Sequence, residues 1–132
     1  MTETESSPEK PHFSRDQVVE TFRKFVKRGI SNPDDLPLDD PEVEAANAAL
    51  YAWSADAQKR ASQNPAPDAA LDYSLSMSTI YVDAGFDDPD YLEEVAGDML
   101  DQDLQSAQDE GLTAITERIQ SKINEINARL NE

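Results

Sequence analysis

The chain has 132 residues, no cysteine and a formal net charge of −17. This length suits one domain with a single hydrophobic core, and the absence of cysteine excludes disulfides, thiolate metal ligands and a cysteine nucleophile. The negative field opposes the approach of nucleic acid and anionic lipid but attracts basic proteins. Because the first residues are polar and no uncharged stretch reaches the length of a membrane span, we expect a cytoplasmic protein without membrane contact.

The negative charge is concentrated in the middle of the chain. Residues 32–112 hold twenty acidic residues against two basic ones, whereas the segments before and after them are nearly balanced. Such a segment either captures a basic partner with fast, salt-sensitive association or forms a solvated face, as in a protein from a salty cytoplasm. The sequence leaves both interpretations open.

The chain begins with a predicted disordered tail over residues 1–12, because these residues lack apolar periodicity and include two prolines. Ser14 then suits an N-cap, with Gln17 completing a capping box, and Gly29 suits a left-handed C-terminal cap. Between them, apolar residues three and four positions apart predict a helix over residues 15–28.

A loop with two prolines and four aspartates follows over residues 31–40. Asp40 as N-cap and Pro41 as first helical residue then predict a second helix over residues 41–64. Alanines cover much of this helix and would let neighbouring helices approach closely. We therefore expect this longest helix to lie at the centre of the fold.

Residues 69–84 allow two interpretations. Their apolar side chains alternate as in a strand, yet other subsets are spaced three and four apart as in a helix. A single strand would have no partner in an otherwise helical chain unless two copies shared a sheet. We therefore predict a helix, with Asp68 and Gly85 at the positions of its caps.

The last two predicted helices lie in the second half of the chain. One begins at Asp88-Pro89, runs to about Glu110 and includes Gly97, which costs about 1 kcal/mol relative to alanine, a loss that close packing against another helix could offset. The other, over residues 113–132, has a narrow apolar stripe on a polar background. The stripe consists of Ile115, Ile119, Ile123, Ile126 and Leu130.

Residue types that common catalytic sites require are scarce. His12 is the only histidine and lies in the predicted tail, so the sequence indicates neither a zinc site nor a serine nucleophile with a histidine base. The four glycines form no phosphate-binding loop. We therefore predict that the protein is not an enzyme and binds no cofactor.

A calcium loop is the metal site that the carboxylates suggest most directly. Asp83, Asp87 and Glu94 occupy the first, fifth and twelfth positions of an EF-hand register. Gly85 stands at the third position, however, and Asp88 stands at the sixth, where the loop requires glycine. N-capping by Asp88 is therefore the favoured interpretation, and we predict no metal site.

These patterns together predict an all-α fold, a single small domain of about five helices over residues 13–132. The predicted function is that of a non-enzymatic adaptor or regulatory protein that binds another protein. The alternative is an acidic nucleic-acid mimic that inhibits a nucleic-acid-binding protein. The partner would present a basic surface or an apolar groove, and the protein itself would be a monomer or a homodimer.

The candidate partner-binding residues come from two places. The apolar stripe of the last helix must be covered by its own domain, by a second copy or by a partner, and its narrow spacing is typical of pairing helices. Acidic residues at the start of the preceding helix would attract a basic surface. Beside the five stripe residues, the candidates are Asp87, Asp88, Asp90, Glu93 and Glu94.

Overall fold

The computed structural model describes residues 13–131, and every regular element within that range is helical. The predicted all-α fold is therefore confirmed, and the strand interpretation of residues 69–84 is wrong. The predicted tail over residues 1–12 and its histidine, His12, lie outside the described residues. None of the helices in the described range is long and apolar enough to cross a membrane.

Seven α-helices follow one another along the described chain. They are α1 (Arg15–Lys27), α2 (Pro41–Gln63), α3 (Ala69–Ser78), α4 (Ile80–Ala84), α5 (Pro89–Glu94), α6 (Leu100–Asp109) and α7 (Thr113–Leu130). A 3₁₀ turn at Pro33–Asp35 precedes α2, and a π-helical turn at Val95–Met99, hereafter the π-turn, joins α5 to α6. Each of the five predicted helices is present, but the third is divided in two and the fourth contains the π-turn.

The predicted helix caps account for most of the boundaries. Ser14 and Gln17 form the reciprocal bonds of a capping box at the start of α1. The side chains of Asp40 and Asp88 accept backbone hydrogen bonds in the first turns of α2 and α5. Gly85 closes α4 in the left-handed conformation, with φ of 110°.

The third predicted helix breaks at Thr79, a buried residue between α3 and α4. Its hydroxyl donates to the carbonyl of Leu75 at 2.7 Å and accepts from the guanidinium of Arg15 at 2.9 Å. These bonds tie the residue to the preceding turn and to α1, and its backbone leaves the helical region at φ −107° and ψ 6°. The chain therefore changes direction here, so that α4 packs on α1.

Buried side chains form two core clusters. The first core cluster consists of Val18, Val19, Phe22, Phe25, Leu36, Val43, Ala46, Leu50, Trp53, Ile80, Ala84 and Phe86. The second core cluster consists of Leu75, Val82, Leu92, Val95, Ala96, Leu100, Ala107, Ile115, Ile119 and Ile126. Helices α1 and α2 belong to the first cluster, whereas α5, α6 and α7 belong to the second.

Helix α4 joins the two core clusters because its opposite faces enter different ones. Ile80 and Ala84 are in the first cluster, while Val82 is in the second. The long helix α2 contributes buried residues to the first cluster alone and packs mainly on α1 and α3. The expectation that α2 lies at the centre is therefore wrong, since α3 and α4 occupy that place.

Candidate protein-binding surface

The segment over residues 87–110, hereafter the acidic segment, runs through α5, the π-turn and α6. It holds ten acidic residues and no basic one. Asp88, Asp101 and Asp103 are partly buried, and the carboxylates of Asp88 and Asp103 accept hydrogen bonds from within the fold. The other seven are exposed: Asp87, Asp90, Glu93, Glu94, Asp98, Asp109 and Glu110.

Several basic side chains of the described range pair with acidic residues outside the acidic segment. Arg15 and Lys122 contact Asp83, Arg28 contacts Glu42, Arg60 contacts Asp56, and Arg118 contacts Asp72. Arg129 donates to the carbonyl oxygens of Val82 and Phe86. Within residues 13–131, no salt bridge involves the acidic segment. Its negative charge is therefore not offset by ion pairs inside this part of the protein.

Asp83 on α4 connects the first helix to the last. Its two carboxylate oxygens accept from Arg15 at 2.7 Å and from Lys122 at 2.9 Å. Burial alone would raise the pKa of Asp83, but the hydrogen bonds and charges of Lys122 and Arg15 outweigh it and lower that pKa below its usual value. This carboxylate therefore stays ionised as a link between α1, α4 and α7.

The EF-hand register does not form a loop in the structure. Asp83 lies in α4 and Glu94 in α5, and only residues 85–88 connect these helices. The favoured interpretation of Asp88 is confirmed, because its side chain accepts from the backbone N–H of Tyr91 at the start of α5. No cluster of three metal-ligating side chains occurs among residues 13–131.

A wide depression of about 750 Å³ opens beside Arg15, Asp83 and Lys122. Arg15 and Lys122 at its lining pair with Asp83, and Arg118 at its wall pairs with Asp72. A charged ligand entering here would have to compete with these ion pairs. We therefore assign the depression a structural role.

The apolar stripe of α7 is divided by the structure. Ile115, Ile119 and Ile126 are fully buried in the second core cluster, so their own domain covers them. Ile123 and Leu130 lie at the edge of that cluster and remain partly exposed. Only these two of the five candidates on α7 have surface to offer a partner.

The two partly exposed stripe residues line a shallow groove of about 300 Å³, hereafter the π-turn groove. Helix α7 forms one wall, and α5 and the π-turn form the other. The lining residues are Glu93, Ala96, Gly97, Ile123, Asn127 and Leu130. The structure thus brings one acidic candidate, Glu93, together with Ile123 and Leu130, whereas Asp87, Asp88, Asp90 and Glu94 are not part of the groove lining.

The π-turn shapes one wall of this groove. The N–H of Leu100 donates to the carbonyl of Val95, five residues earlier, which defines the wider turn. Val95 and Ala96 point into the core, while Gly97 is exposed and a Cβ placed on it would meet nothing within 4 Å. Close packing at this position therefore does not offset the cost of the glycine. A glycine inside a predicted helix marked this position in the sequence as unusual, but it did not predict a groove.

Comparisons with protein-family models, with curated proteins and with solved structures found no match for this chain.

Proposed function

We propose that the protein is a non-enzymatic adaptor or regulator that binds a basic partner protein through the acidic segment. The observation that supports this most strongly is the uneven distribution of charge. Seven carboxylates of residues 87–110 are exposed, and the salt bridges of residues 13–131 lie elsewhere. A surface region of one sign attracts a partner of the opposite sign and accelerates its association, with strong dependence on salt.

A catalytic function has less support from the chain. Its only histidine is His12, so no histidine base exists within the helical part for any of its serines or threonines. We also propose a cytoplasmic setting, because a protein without cysteine gains nothing from an oxidising compartment.

An acidic nucleic-acid mimic is the second candidate, and one observation favours it. Five of the seven exposed carboxylates of the acidic segment lie on consecutive helical elements, α5, the π-turn and α6, while Asp87 precedes α5 and Glu110 follows α6. A succession of negative charges along one helical stretch can resemble a phosphate backbone. The mimic differs from the adaptor in needing no apolar contact, so the salt dependence of its complex should be steeper.

The proposal is tested by affinity capture from a lysate of the source organism, followed by measurement of Kd with the purified captured protein. The test variant combines Glu93→Gln, Glu94→Gln and Asp98→Asn, three exposed residues of the acidic segment. The matched control combines Asp35→Asn, Asp39→Asn and Glu44→Gln, which change net charge equally on exposed positions outside that segment.

We expect the test variant to weaken binding about tenfold at low salt, and the control to change it by less than about threefold. Equal weakening by both variants would contradict the proposal, because it would show that only overall charge matters. Failure to retain any basic protein at low salt would also contradict it. A complex that also dissociates steeply with salt and competes with DNA for its partner would favour the mimic.

A further inference from the structure

The π-turn groove is lined by apolar residues together with Glu93 and Asn127, and no side chain of the described chain fills its opening. Ile123 and Leu130 are partly exposed on one wall, and Ala96 and Gly97 form the other. Because Gly97 has no side chain and a Cβ there would meet nothing within 4 Å, the groove stays open along the π-turn. The volume of about 300 Å³ is at the lower end of typical ligand pockets and suits one or two aliphatic side chains.

The charges around the groove indicate the sign of its occupant. Glu93 lines the groove, and Asp90, Glu94 and Asp98 are exposed within about one turn of it along the same helical stretch. The basic neighbours of the groove residues on α7 are bonded elsewhere: Lys122 pairs with Asp83, and Arg129 donates to the carbonyl oxygens of Val82 and Phe86. An occupant that combines aliphatic side chains with positive charge therefore complements the site.

A second copy of this chain does not meet that requirement. In a symmetric dimer the same patch contacts itself, so the exposed carboxylates of one acidic segment would face those of the other. Like charges brought together in this way oppose association. The charge pattern thus favours a different protein as the occupant.

We propose that the π-turn groove binds one or two large aliphatic side chains of a basic, amphipathic helical segment in the partner. This inference rests on the proposed function and adds to it a specific apolar contact at the acidic surface. The acidic segment attracts the basic face of the partner helix, while Ile123, Leu130 and the open space above Gly97 accommodate its apolar face. The contact distinguishes such a helix from other cationic segments.

The test uses the full chain and two synthetic helical peptides of equal charge. Both peptides are rich in lysine and alanine; one carries two leucines four residues apart, and the other carries serines at the same positions. The ratio of their dissociation constants, measured by calorimetry, isolates the apolar contact from the general attraction of charge. Amide chemical shifts of the protein locate the binding site.

We expect the leucine peptide to bind about tenfold more tightly than the serine peptide, with the largest shift changes at Gly97, Ile123 and Leu130. In the variant Gly97→Gln, whose side chain occupies the groove, this ratio should fall close to one. The matched control Ala48→Gln adds the same side chain at an exposed position of α2 and should keep the ratio. Leu130→Gln, near the end of α7, is a second test variant in case Gly97→Gln does not fold, and it should also reduce the ratio.

The outcomes separate this inference from the proposed function. Equal binding of both peptides, or shifts spread evenly along residues 87–110, would overturn the groove assignment and leave the acidic surface as a general binding site. Failure of both peptides to bind at low salt would contradict the proposed function as well. A ratio that Gly97→Gln and Leu130→Gln leave unchanged would also overturn the inference, because the apolar contact would lie elsewhere.

Discussion

The two core clusters differ in the type of side chain that fills them. Four large aromatic residues of the first core cluster are buried, namely Phe22, Phe25, Trp53 and Phe86. The ring of Tyr81 meets that of Phe22 edge-on at 5.0 Å. Every buried member of the second core cluster is aliphatic. Aromatic contacts fix the relative orientation of the side chains in the first cluster. In the second cluster, the burial of the aliphatic residues depends on how far α7 extends over them.

Two glycines at the edges of the two clusters also differ in the space beside them. A Cβ on Gly85, beside the first cluster, would lie 3.3 Å from a methyl carbon of Val26. A Cβ on Gly97, at the edge of the second cluster, would meet nothing within 4 Å. An open edge of the second cluster therefore lies beside the acidic segment, and it is the place where we propose that the partner binds.

The largest predicted effect distinguishes the buried and exposed parts of the α7 stripe. Ile119→Ala removes a fully buried side chain and should lower the free energy of unfolding by about 2–5 kcal/mol. Ile123→Ala, at the partly exposed edge, should cost about 1 kcal/mol. Chemical denaturation of both variants measures the difference. Equal losses would mean that the stripe is not divided as described.

The second prediction concerns the link between the clusters at Asp83. Asp83→Asn removes the charge that Arg15 and Lys122 share, and should lower the free energy of unfolding by about 1.5–3 kcal/mol. The matched control Asp72→Asn breaks a more exposed pair with Arg118 and should cost less than about 1 kcal/mol. Indistinguishable losses in the two variants would show that Asp83 has no special place in the fold.

The carboxylate of Asp83 should also make the stability of the protein depend on pH. Because the pKa of Asp83 is lower in the folded than in the unfolded protein, its contribution is present above the unfolded value of about 3.9 and is lost as the pH falls through the folded value. The parent protein should therefore lose stability more steeply below about pH 4 than Asp83→Asn does. Parallel pH profiles for the two proteins would contradict the ionised link.

A further prediction concerns Gly85, where the space beside the glycine is filled. Gly85 has φ of 110°, a conformation that side chains rarely adopt, and it lies against Val26. Gly85→Ala should therefore lower the free energy of unfolding by about 1–2 kcal/mol. The melting temperature is the measurement, and no decrease would argue against the tight cap between α4 and α5.

The smallest predicted effect is a gain in stability, and it concerns Gly97, which faces open space. Gly97→Ala adds a methyl group to open space and reduces the freedom of the unfolded chain, so it should raise the free energy of unfolding by about 0.5–1 kcal/mol. A loss of stability comparable to that of Gly85→Ala would show that Gly97 is packed after all.

Local signals in the sequence predicted most helix ends correctly. The capping box of Ser14 and Gln17, the Asp40 cap and the left-handed Gly85 each depend on a few neighbouring residues, and the structure contains all three. Asp68 precedes α3 as predicted, although its side chain makes no capping bond. Helix caps of this kind can be predicted from the sequence because they depend only on residues that are close together in the chain.

Features that depend on distant contacts were not predictable in the same way. The break at Thr79 involves Arg15, which lies 64 positions earlier in the chain. Periodicity placed Ile119 and Ile123 on one stripe, but only Ile119 is fully buried by the elements on which α7 packs. The acidic and apolar residues of the candidate site were therefore predicted from the sequence. The groove that brings Glu93 together with Ile123 and Leu130 was not, because it depends on the tertiary structure.

Residues 87–110 carry seven exposed carboxylates that no salt bridge of residues 13–131 offsets, and this segment borders the π-turn groove. Paramagnetic relaxation of amide protons by a cationic and an anionic nitroxide gives the electrostatic potential near each residue without any partner. We predict the most negative potential along α5, the π-turn and α6, and a clearly weaker one along α1 and near Lys122. A potential of equal strength over all helices would contradict the account, because the acidity would then be a general property of the surface.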